Sequence, residues 1–373
     1  MSDSISPEQV FSILAQAELL PYSPLKVTML ERAVELADSL GEEPIAYQAR
    51  QQLISAAVFG GQPDRAFTHF EWCLAAYDRN PELDEAHLIY WIYKWMIEAA
   101  IQYPSVSQES LQSMLNDQEE RYRDAGYSLR PNRGLWIRYY LQRGDLERVR
   151  ELVSEWRRLA RDGMSDCPAC ERDLHVLVLL ELGETDKALQ RAQPILLGRL
   201  RCEEVPHLTV PRLLIPWVAK GHAQEAARHH EKNWRRIRGK LDFLHVAGYH
   251  AAYLAVVGKI KESLSCLEEF LPSAFKATRP QNIFEFCLSD WFVVERLPAG
   301  MDQPVRLRLP EQAPISTHAN LADPNDPLRQ WLVHQAKSLA QAFDTRNGTD
   351  WFSQRLHRQR EQWHQLADSL ARG

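Results

Sequence analysis

Apolar and polar residues follow one another along most of the chain with the period of an α-helix. Before each of five glycines, an apolar residue stands seven and again four positions back, as Ile54 and Ala57 do before Gly61. This spacing places both side chains on one face of a helix that ends near the glycine. The pattern therefore predicts helices joined by turns. The five glycines are Gly61, Gly144, Gly183, Gly221 and Gly258.

These glycines recur at nearly constant intervals. The last three intervals are 39, 38 and 37 residues, and the first is 83, which is two periods with one glycine missing near Tyr103. The spacing predicts a repeated hairpin of helix A, a glycine turn with a left-handed cap, and helix B. Five positions after each glycine comes a small or slender residue, as expected where two helices approach closely: Ala66, Val149, Ala188, Ala226 and Ser263.

The turn sequences resemble those of the tetratricopeptide repeat (TPR) family. The best matches are Gly61-Gln62-Pro63-Asp64-Arg65-Ala66, Gly144-Asp145-Leu146-Glu147-Arg148-Val149 and Gly183-Glu184-Thr185-Asp186-Lys187-Ala188. The resemblance covers residues 44–275, with a period longer than the family's 34 or so. It implies a divergent member with an all-α fold, a right-handed superhelical solenoid of about seven to eight TPR-like helical hairpins that ends in a C-terminal helical hairpin.

Four segments are predicted along the chain. Residues 1–43 are expected to form N-terminal capping helices, which start at the capping box Ser6-Pro7-Glu8-Gln9, and residues 44–296 form the repeats. Residues 297–325 contain five prolines and are expected to be an irregular connection. Residues 326–373 are expected to be the C-terminal helical hairpin.

The C-terminal hairpin carries its own boundary signals. Asp326 and Pro327 start its first helix, Gly348 ends that helix, and Asp350 opens a second one that runs to about Leu370. This hairpin is expected either to cap the repeats or to join two copies as a homodimer.

Composition and charge narrow the class of partner. The chain is 45% apolar and 25% charged, which is typical of a globular protein, and its net charge is -6. Nucleic acids and anionic membranes both favour a basic surplus, so the charge argues against both as main partners. No apolar run of about 20 residues is present to span a bilayer. We expect a protein or peptide partner, with no nucleic acid and no membrane.

Cysteine usage and motifs indicate the compartment and the chemistry. The six cysteines are unevenly spaced and form no disulfide framework, and no secretory signal pattern is recognisable, so we expect a cytoplasmic protein. The sequence contains no phosphate-binding glycine loop, no His-Glu-x-x-His helix and no Gly-x-Ser-x-Gly motif. These absences favour a function that is not enzymatic.

One group of residues has metal-ligating chemistry. Cys167 and Cys170 precede helix A of one repeat, Cys202 ends helix B of the same repeat, and His207 begins the next one. In stacked hairpins these four side chains should meet at one edge. Three thiolates and one imidazole would form a tetrahedral structural zinc site. The alternatives are four unligated residues and a redox dithiol. No cofactor other than this zinc is expected.

Helix A faces the concave surface in the resembled family, so we expect a partner-binding groove along the corresponding positions. None of these positions carries the asparagines with which chaperone-binding members hold a terminal carboxylate. Trp91, Lys94 and Arg138 are the expected anchors, since Trp and Arg dominate interface energetics. The alternative for the apolar helix around Trp91 is burial in the core. The expected groove residues are Trp91, Lys94, Glu98, Arg138, Asp173, Leu177 and Ile215.

A basic run and the histidines at one repeat position are both expected to have structural roles. The basic run from Arg228 to Lys240 is interleaved with Trp234 and is expected to be a solvated helix B with the indole turned inward. His175 and His250 stand eight residues before their glycines, where other repeats carry Leu53, Trp136 and Leu213, and we expect both to be buried, neutral packing residues hydrogen-bonded to the backbone.

The sequence as a whole predicts a non-catalytic protein-interaction scaffold or adaptor. One alternative is a regulatory sensor that changes shape when a peptide or small ligand enters the groove. A second alternative is an enzyme whose site lies at the cysteines around Cys170 or in residues 297–325.

Overall fold

A computed structural model describes residues 6–240, 243–297, 307, 320–321 and 323–372. Within these ranges the backbone forms seventeen α-helices and no β-strand, which confirms the all-α prediction. Among the described helices, none is both long enough and apolar enough to cross a bilayer.

The chain divides into two compact units. Unit 1 comprises Met1–Trp136 and Trp156–Ser165, and unit 2 comprises Ile137–Glu155 and Asp166–Gly373. Unit 1 contains the helices α1 Pro7–Glu18, α2 Pro24–Leu40, α3 Glu43–Phe59, α4 Phe67–Arg79, α5 Ala86–Ile101 and α6 Gln108–Asp124. Two helices have residues in both units, α7 Arg130–Arg143 and α8 Leu146–Arg158. Unit 2 contains the helices α9 Pro168–Glu181, α10 Thr185–Leu196, α11 Thr209–Ala219, α12 Ala223–Ile237, α13 Leu244–Val256, α14 Ile260–Ala274, α15 Pro280–Glu295, α16 Pro327–Asn347 and α17 Trp351–Arg372.

In unit 1, consecutive helices pack against each other. The helix α1 begins at the predicted capping box, in which Ser6 and Gln9 satisfy each other's backbone N–H groups. The helix α2 begins where the Ser23 hydroxyl accepts from the Lys26 N–H, and it ends at Gly41 with a φ of 72°. The pairs α1 and α2, α2 and α3, α3 and α4, and α5 and α6 are in contact. These pairs form the successive hairpins expected of a helical repeat.

In unit 2, the pairs α9 and α10, α11 and α12, and α13 and α14 pack as hairpins. The helix α13 also packs on α15, and α15 packs on α16. One apolar core joins these elements, with Trp217, Phe270, Phe292 and Phe352 among its buried rings. The hairpin arrangement agrees with a helical repeat, while the right-handed superhelix implied by the resemblance stays a prediction, as do the boundaries at residues 44, 297 and 326.

The five repeat glycines occupy the conformation that the sequence predicts. All have positive φ, with values of 79° for Gly61, 71° for Gly144, 74° for Gly183, 79° for Gly221 and 78° for Gly258. This left-handed conformation is strained for any residue with a Cβ, which explains why the turns use glycine. The slender residues five positions later are fully buried, as predicted: Ala66, Val149, Ala188, Ala226 and Ser263.

The helices α16 and α17 pack against each other as a hairpin. The Asp326 carboxylate caps α16 by accepting from the N–H groups of Leu328 and Arg329 at 2.9 and 3.3 Å. Gly348, with a φ of 64°, ends that helix, and α17 follows. Both helices pack on α15, so the hairpin is part of unit 2. Residues 297–325, the predicted irregular connection, lie mostly outside the described residues.

Candidate functional site

The first two cysteines are held at the beginning of α9. Pro168 is the first residue of this helix, where its missing N–H costs no hydrogen bond, and Cys167 is the N-cap. The Cys167 Sγ accepts a hydrogen bond from the Cys170 backbone N–H at 3.4 Å. The Cys-Pro-Ala-Cys sequence therefore folds both thiols onto the N-terminal end of one helix.

The third cysteine lies in the turn between α10 and α11. The backbone N–H of Cys202 donates to the Val205 carbonyl at 2.9 Å, and the Val205 N–H donates back to the Cys202 Sγ at 3.4 Å. This reciprocal pair closes a tight turn around the sulfur. The turn fixes Cys202 as firmly as the helix end fixes the other two thiols.

The structure brings the three thiols of Cys167, Cys170 and Cys202 together, and we call them the cysteine cluster. Their Sγ atoms all lie within 4.8 Å of one another, and those of Cys170 and Cys202 are 3.5 Å apart. In a tetrahedral zinc site with Zn–S bonds of about 2.3 Å, neighbouring sulfurs are about 3.8 Å apart. The spacing of the cysteine cluster fits a tetrahedral metal ion.

The environment of the cysteine cluster favours neutral thiols until a cation is present. Burial and the nearby Cys202 and Glu204 raise the pKa of the Cys170 thiol above its ordinary value. Burial likewise raises the pKa of Cys202, although the Val205 and Glu204 N–H groups act in the opposite direction. A divalent cation reverses this balance, because it stabilises the thiolates more than the neighbouring groups destabilise them.

His207, the fourth predicted ligand, is not part of the cysteine cluster, and this part of the prediction is wrong. The imidazole is buried and its Nδ1 lies 3.2 Å from the Asn233 side-chain nitrogen. The Asn233 oxygen is in turn 2.9 Å from Nε2 of His250, and Nδ1 of His250 is 2.8 Å from Nδ1 of His230. We call these four residues the histidine network.

One assignment of donors and acceptors accounts for all three hydrogen bonds of the histidine network with every imidazole neutral. The Asn233 amide donates to Nδ1 of His207, Nε2 of His250 donates to the Asn233 oxygen, and Nδ1 of His230 donates to His250. Burial lowers the pKa of His230 to about 4 and holds that of His250 well below its ordinary value, so these imidazoles are neutral near pH 7. His250 is therefore the buried neutral residue that the sequence predicts, with side chains rather than backbone as partners.

The expected groove anchor Lys94 lies inside unit 1 and does not face a partner. It is 2% exposed, its ammonium donates to the Met164 carbonyl at 3.1 Å, and its Nζ lies 3.5 Å from the centre of the Trp91 ring. These two contacts compensate the charge within the protein. The expectation that Lys94 is presented on the surface is therefore wrong.

The other expected groove residues are covered to different degrees. Asp173 is 4% exposed and accepts from the Thr209 hydroxyl at 2.6 Å and from the Arg212 guanidinium at 2.9 Å, so it is a structural ion-pair residue. Ile215 is 8% exposed. The half-buried residues are Trp91, Glu98, Arg138 and Leu177. Whether these four bind a partner stays a prediction.

An exposed apolar surface lies elsewhere in unit 1, at the turn between α1 and α2. Leu19 is 86% exposed, Leu25 is 63% exposed and Tyr22 is 52% exposed. The Tyr22 ring lies 5.1 Å from that of Phe59, whose ring lies 4.9 Å from that of Trp95. We call these five residues the apolar surface of unit 1. The sequence pattern does not predict this surface. Helical periodicity identifies core positions within helices, and it gives no information on large side chains in turns.

No known protein-family model matches the chain, and no curated protein matches it significantly. The tetratricopeptide resemblance therefore stays a prediction from the turn sequences, and functional inference rests on the residues described above.

Proposed function

We propose that this chain is a non-catalytic protein-interaction scaffold that binds a partner protein or peptide. The observation that carries the proposal is the apolar surface of unit 1, where two leucines and a tyrosine are more than half exposed on a helical-repeat framework. Contiguous exposed apolar side chains mark interaction sites in soluble proteins.

The apolar surface continues along α5. Leu88 is 45% exposed and is followed at helical spacings of three and four residues by Trp91 and Trp95. Residues at these spacings share one face of a helix. Trp91, an expected groove residue, is therefore proposed to extend the partner surface. Covering each exposed leucine would contribute about 1.5–3 kcal/mol of apolar transfer free energy.

The scaffold proposal is tested by partner capture with three proteins. These are the unaltered chain, the double variant Leu19→Ser with Leu25→Ser, and the control Leu197→Ser, whose leucine is 61% exposed in unit 2. Partners captured from the native host are quantified by mass spectrometry. At least one partner should be reduced tenfold or more by the double variant, since interface anchors each contribute about 1–3 kcal/mol.

The control distinguishes specific binding at the apolar surface from non-specific hydrophobic binding by any exposed leucine. Leu197→Ser should leave capture of that partner unchanged, and all three proteins should melt alike because the substituted side chains are exposed. Equal recovery with the double variant would refute the apolar surface as the binding face. A ligand-dependent rise in melting temperature would favour the sensor alternative, and turnover that depends on the thiols would favour the enzyme.

We further propose that the cysteine cluster holds a structural zinc ion. The supporting observation is the convergence of three sulfurs from two separate segments at a spacing suited to tetrahedral coordination. The ion would fasten the start of α9 to the turn before α11, and so would join two consecutive hairpins of unit 2.

Metal analysis of the purified chain tests the zinc proposal. Near-stoichiometric zinc is expected, and Cys170→Ser should release it and lower the melting temperature. Cys73→Ala is the matched control, because Cys73 is a buried thiol in unit 1. Metal-free protein that does not take up added zinc would refute the site.

A further inference from the structure

Three thiolates leave one position of a tetrahedral zinc ion without a protein ligand. Structural zinc sites are almost always closed by four protein ligands. His207 does not supply the fourth, because its ring nitrogens are not among the ligand atoms that lie within 4.8 Å of one another with the three sulfurs. The missing ligand has to come from a group beside the sulfurs themselves.

A carboxylate oxygen stands beside the cysteine cluster. Oε2 of Glu204 is 4.0 Å from Sγ of Cys170. With Zn–S bonds of about 2.3 Å and Zn–O bonds of about 2.0–2.2 Å, tetrahedral geometry puts a ligand oxygen about 3.5 Å from each sulfur. The carboxylate does not lie within 4.8 Å of all three sulfurs, so rotation of this exposed side chain has to bring the oxygen to the other two.

The backbone turn that positions Cys202 also positions Glu204. This residue lies between Cys202 and Val205, whose N–H donates to the Cys202 sulfur. Its carboxylate is exposed, whereas the sulfurs are half-buried. A carboxylate at the rim can reach the open coordination position from the solvent side without any rearrangement of the backbone.

The negative charge of such a ligand set is partly offset by nearby backbone groups. Three thiolates and a carboxylate carry four negative charges against the two positive charges of zinc. The N-terminal end of α9, with its partial positive charge, begins at Cys167, and backbone N–H groups donate to two of the sulfurs at 3.4 Å. Hydrogen bonds of this kind stabilise metal-bound thiolates.

We propose that Glu204 is the fourth zinc ligand, so that the site is formed by Cys167, Cys170, Cys202 and Glu204. This assignment rests on the proposed zinc site. It replaces the imidazole expected from the sequence by a solvent-facing carboxylate.

The test compares metal binding by the full chain with that of three variants. Glu204→Gln removes the ligand charge, Glu204→Cys supplies a fourth thiolate, and Glu203→Gln is the matched control, because Glu203 is an exposed carboxylate on the same turn. Zinc affinity is measured by competition with a chromophoric chelator. Cobalt(II) spectra report the ligand set through sulfur-to-metal charge-transfer bands.

Glu204→Gln should lower zinc affinity by at least about tenfold, whereas Glu203→Gln should change it less than twofold. Glu204→Cys should restore tight binding and raise the charge-transfer absorption by about one third, the ratio of four thiolates to three. Circular dichroism should show unchanged helix content for all variants, because both glutamates are exposed.

Three results would contradict the proposal, in different ways. If the unaltered chain binds neither zinc nor cobalt, the zinc site itself is refuted and the ligand assignment falls with it. If the unaltered chain binds metal and Glu204→Gln keeps the same affinity and spectrum, the zinc site stands and the assignment of Glu204 is overturned. Equal losses for Glu203→Gln and Glu204→Gln would show a general charge effect and would also overturn the assignment.

Discussion

Unit 2 contains two clusters of residues that can bind metals, and the clusters differ in how their polar atoms are satisfied. In the histidine network, each shared nitrogen or amide group has a side-chain partner, at distances from 2.8 to 3.2 Å. In the cysteine cluster, three sulfurs lie within 4.8 Å of one another, and burial together with the nearby Cys202 raises the pKa of the Cys170 thiol. Residue type alone would have marked both clusters as metal sites.

The comparison shows that a cation suits the cluster whose ligand atoms are not already tied up in hydrogen bonds with other side chains. Within the histidine network, a metal ion would have to displace hydrogen bonds that are already complete. Within the cysteine cluster, it would displace only thiol protons, because the N–H groups that donate to two of the sulfurs can keep their hydrogen bonds. The cysteine cluster is therefore the better candidate for a metal.

The largest expected effect is the change in unfolding free energy when zinc binds, which should depend on the cysteine cluster and not on the histidine network. Free zinc at a thousandfold above its dissociation constant should stabilise the chain by about 4 kcal/mol, because the ion binds the folded state. Chelation should remove this increment, and Cys170→Ser should abolish it. The increment is measured by chemical denaturation with and without zinc. A similar zinc increment in Cys170→Ser would place the metal elsewhere.

The next effect concerns the histidine network alone. Asn233→Leu should cost about 2–4 kcal/mol of unfolding free energy, because it leaves buried nitrogens of His207 and His250 without partners. The zinc increment should persist in this variant. Lys232→Leu is the control on the exposed face of the same helix, and it should change stability by less than about 0.5 kcal/mol. A zinc increment lost in Asn233→Leu would show that the clusters are coupled.

The last effect is a pH dependence, which is small near neutral pH and is measured in the presence of chelator. The folded pKa values of His207, His230 and His250 lie below the ordinary value, so the unfolded chain binds protons more readily. The stabilisation is complete above a pH of about 6.5 and is lost as the pH falls toward the folded pKa, about 4 for His230. Each proton contributes a slope of about 1.4 kcal/mol per pH unit. An unfolding free energy that stays constant from pH 7 to 5 would contradict a neutral network.

The sequence predicts those parts of the fold that depend on nearby residues. The glycine turns, the capping box at Ser6 and the helix start at Asp326 each depend on residues within one helical turn, and all are confirmed. The sequence also predicts that the three thiols lie together, because the repeat spacing shows which helix ends are neighbours in a hairpin. Local signals and a constant repeat therefore account for most of the correct predictions.

The errors come from side chains whose partners are distant in the sequence. Lys94 is held by the carbonyl of Met164, which is 70 residues away, and no pattern around Lys94 indicates that contact. His207 follows Cys202 closely, yet its direction is set by Asn233, 26 residues later. Glu204 offered a signal, a carboxylate two positions from a cysteine, but such pairs are common on surfaces.

The burial of Glu285 in unit 2 depends on a cation that lies far along the chain. The Glu285 carboxylate, 7% exposed, accepts from the Arg355 guanidinium at 2.6 and 2.8 Å, and Arg355 follows it by 70 residues. Burying an acid without its cation costs about 3–5 kcal/mol, so this face of α15 is stable only while α17 is docked on it. Local detachment of the 22-residue helix α17 would therefore expose a buried carboxylate and open this face to proteases and chaperones.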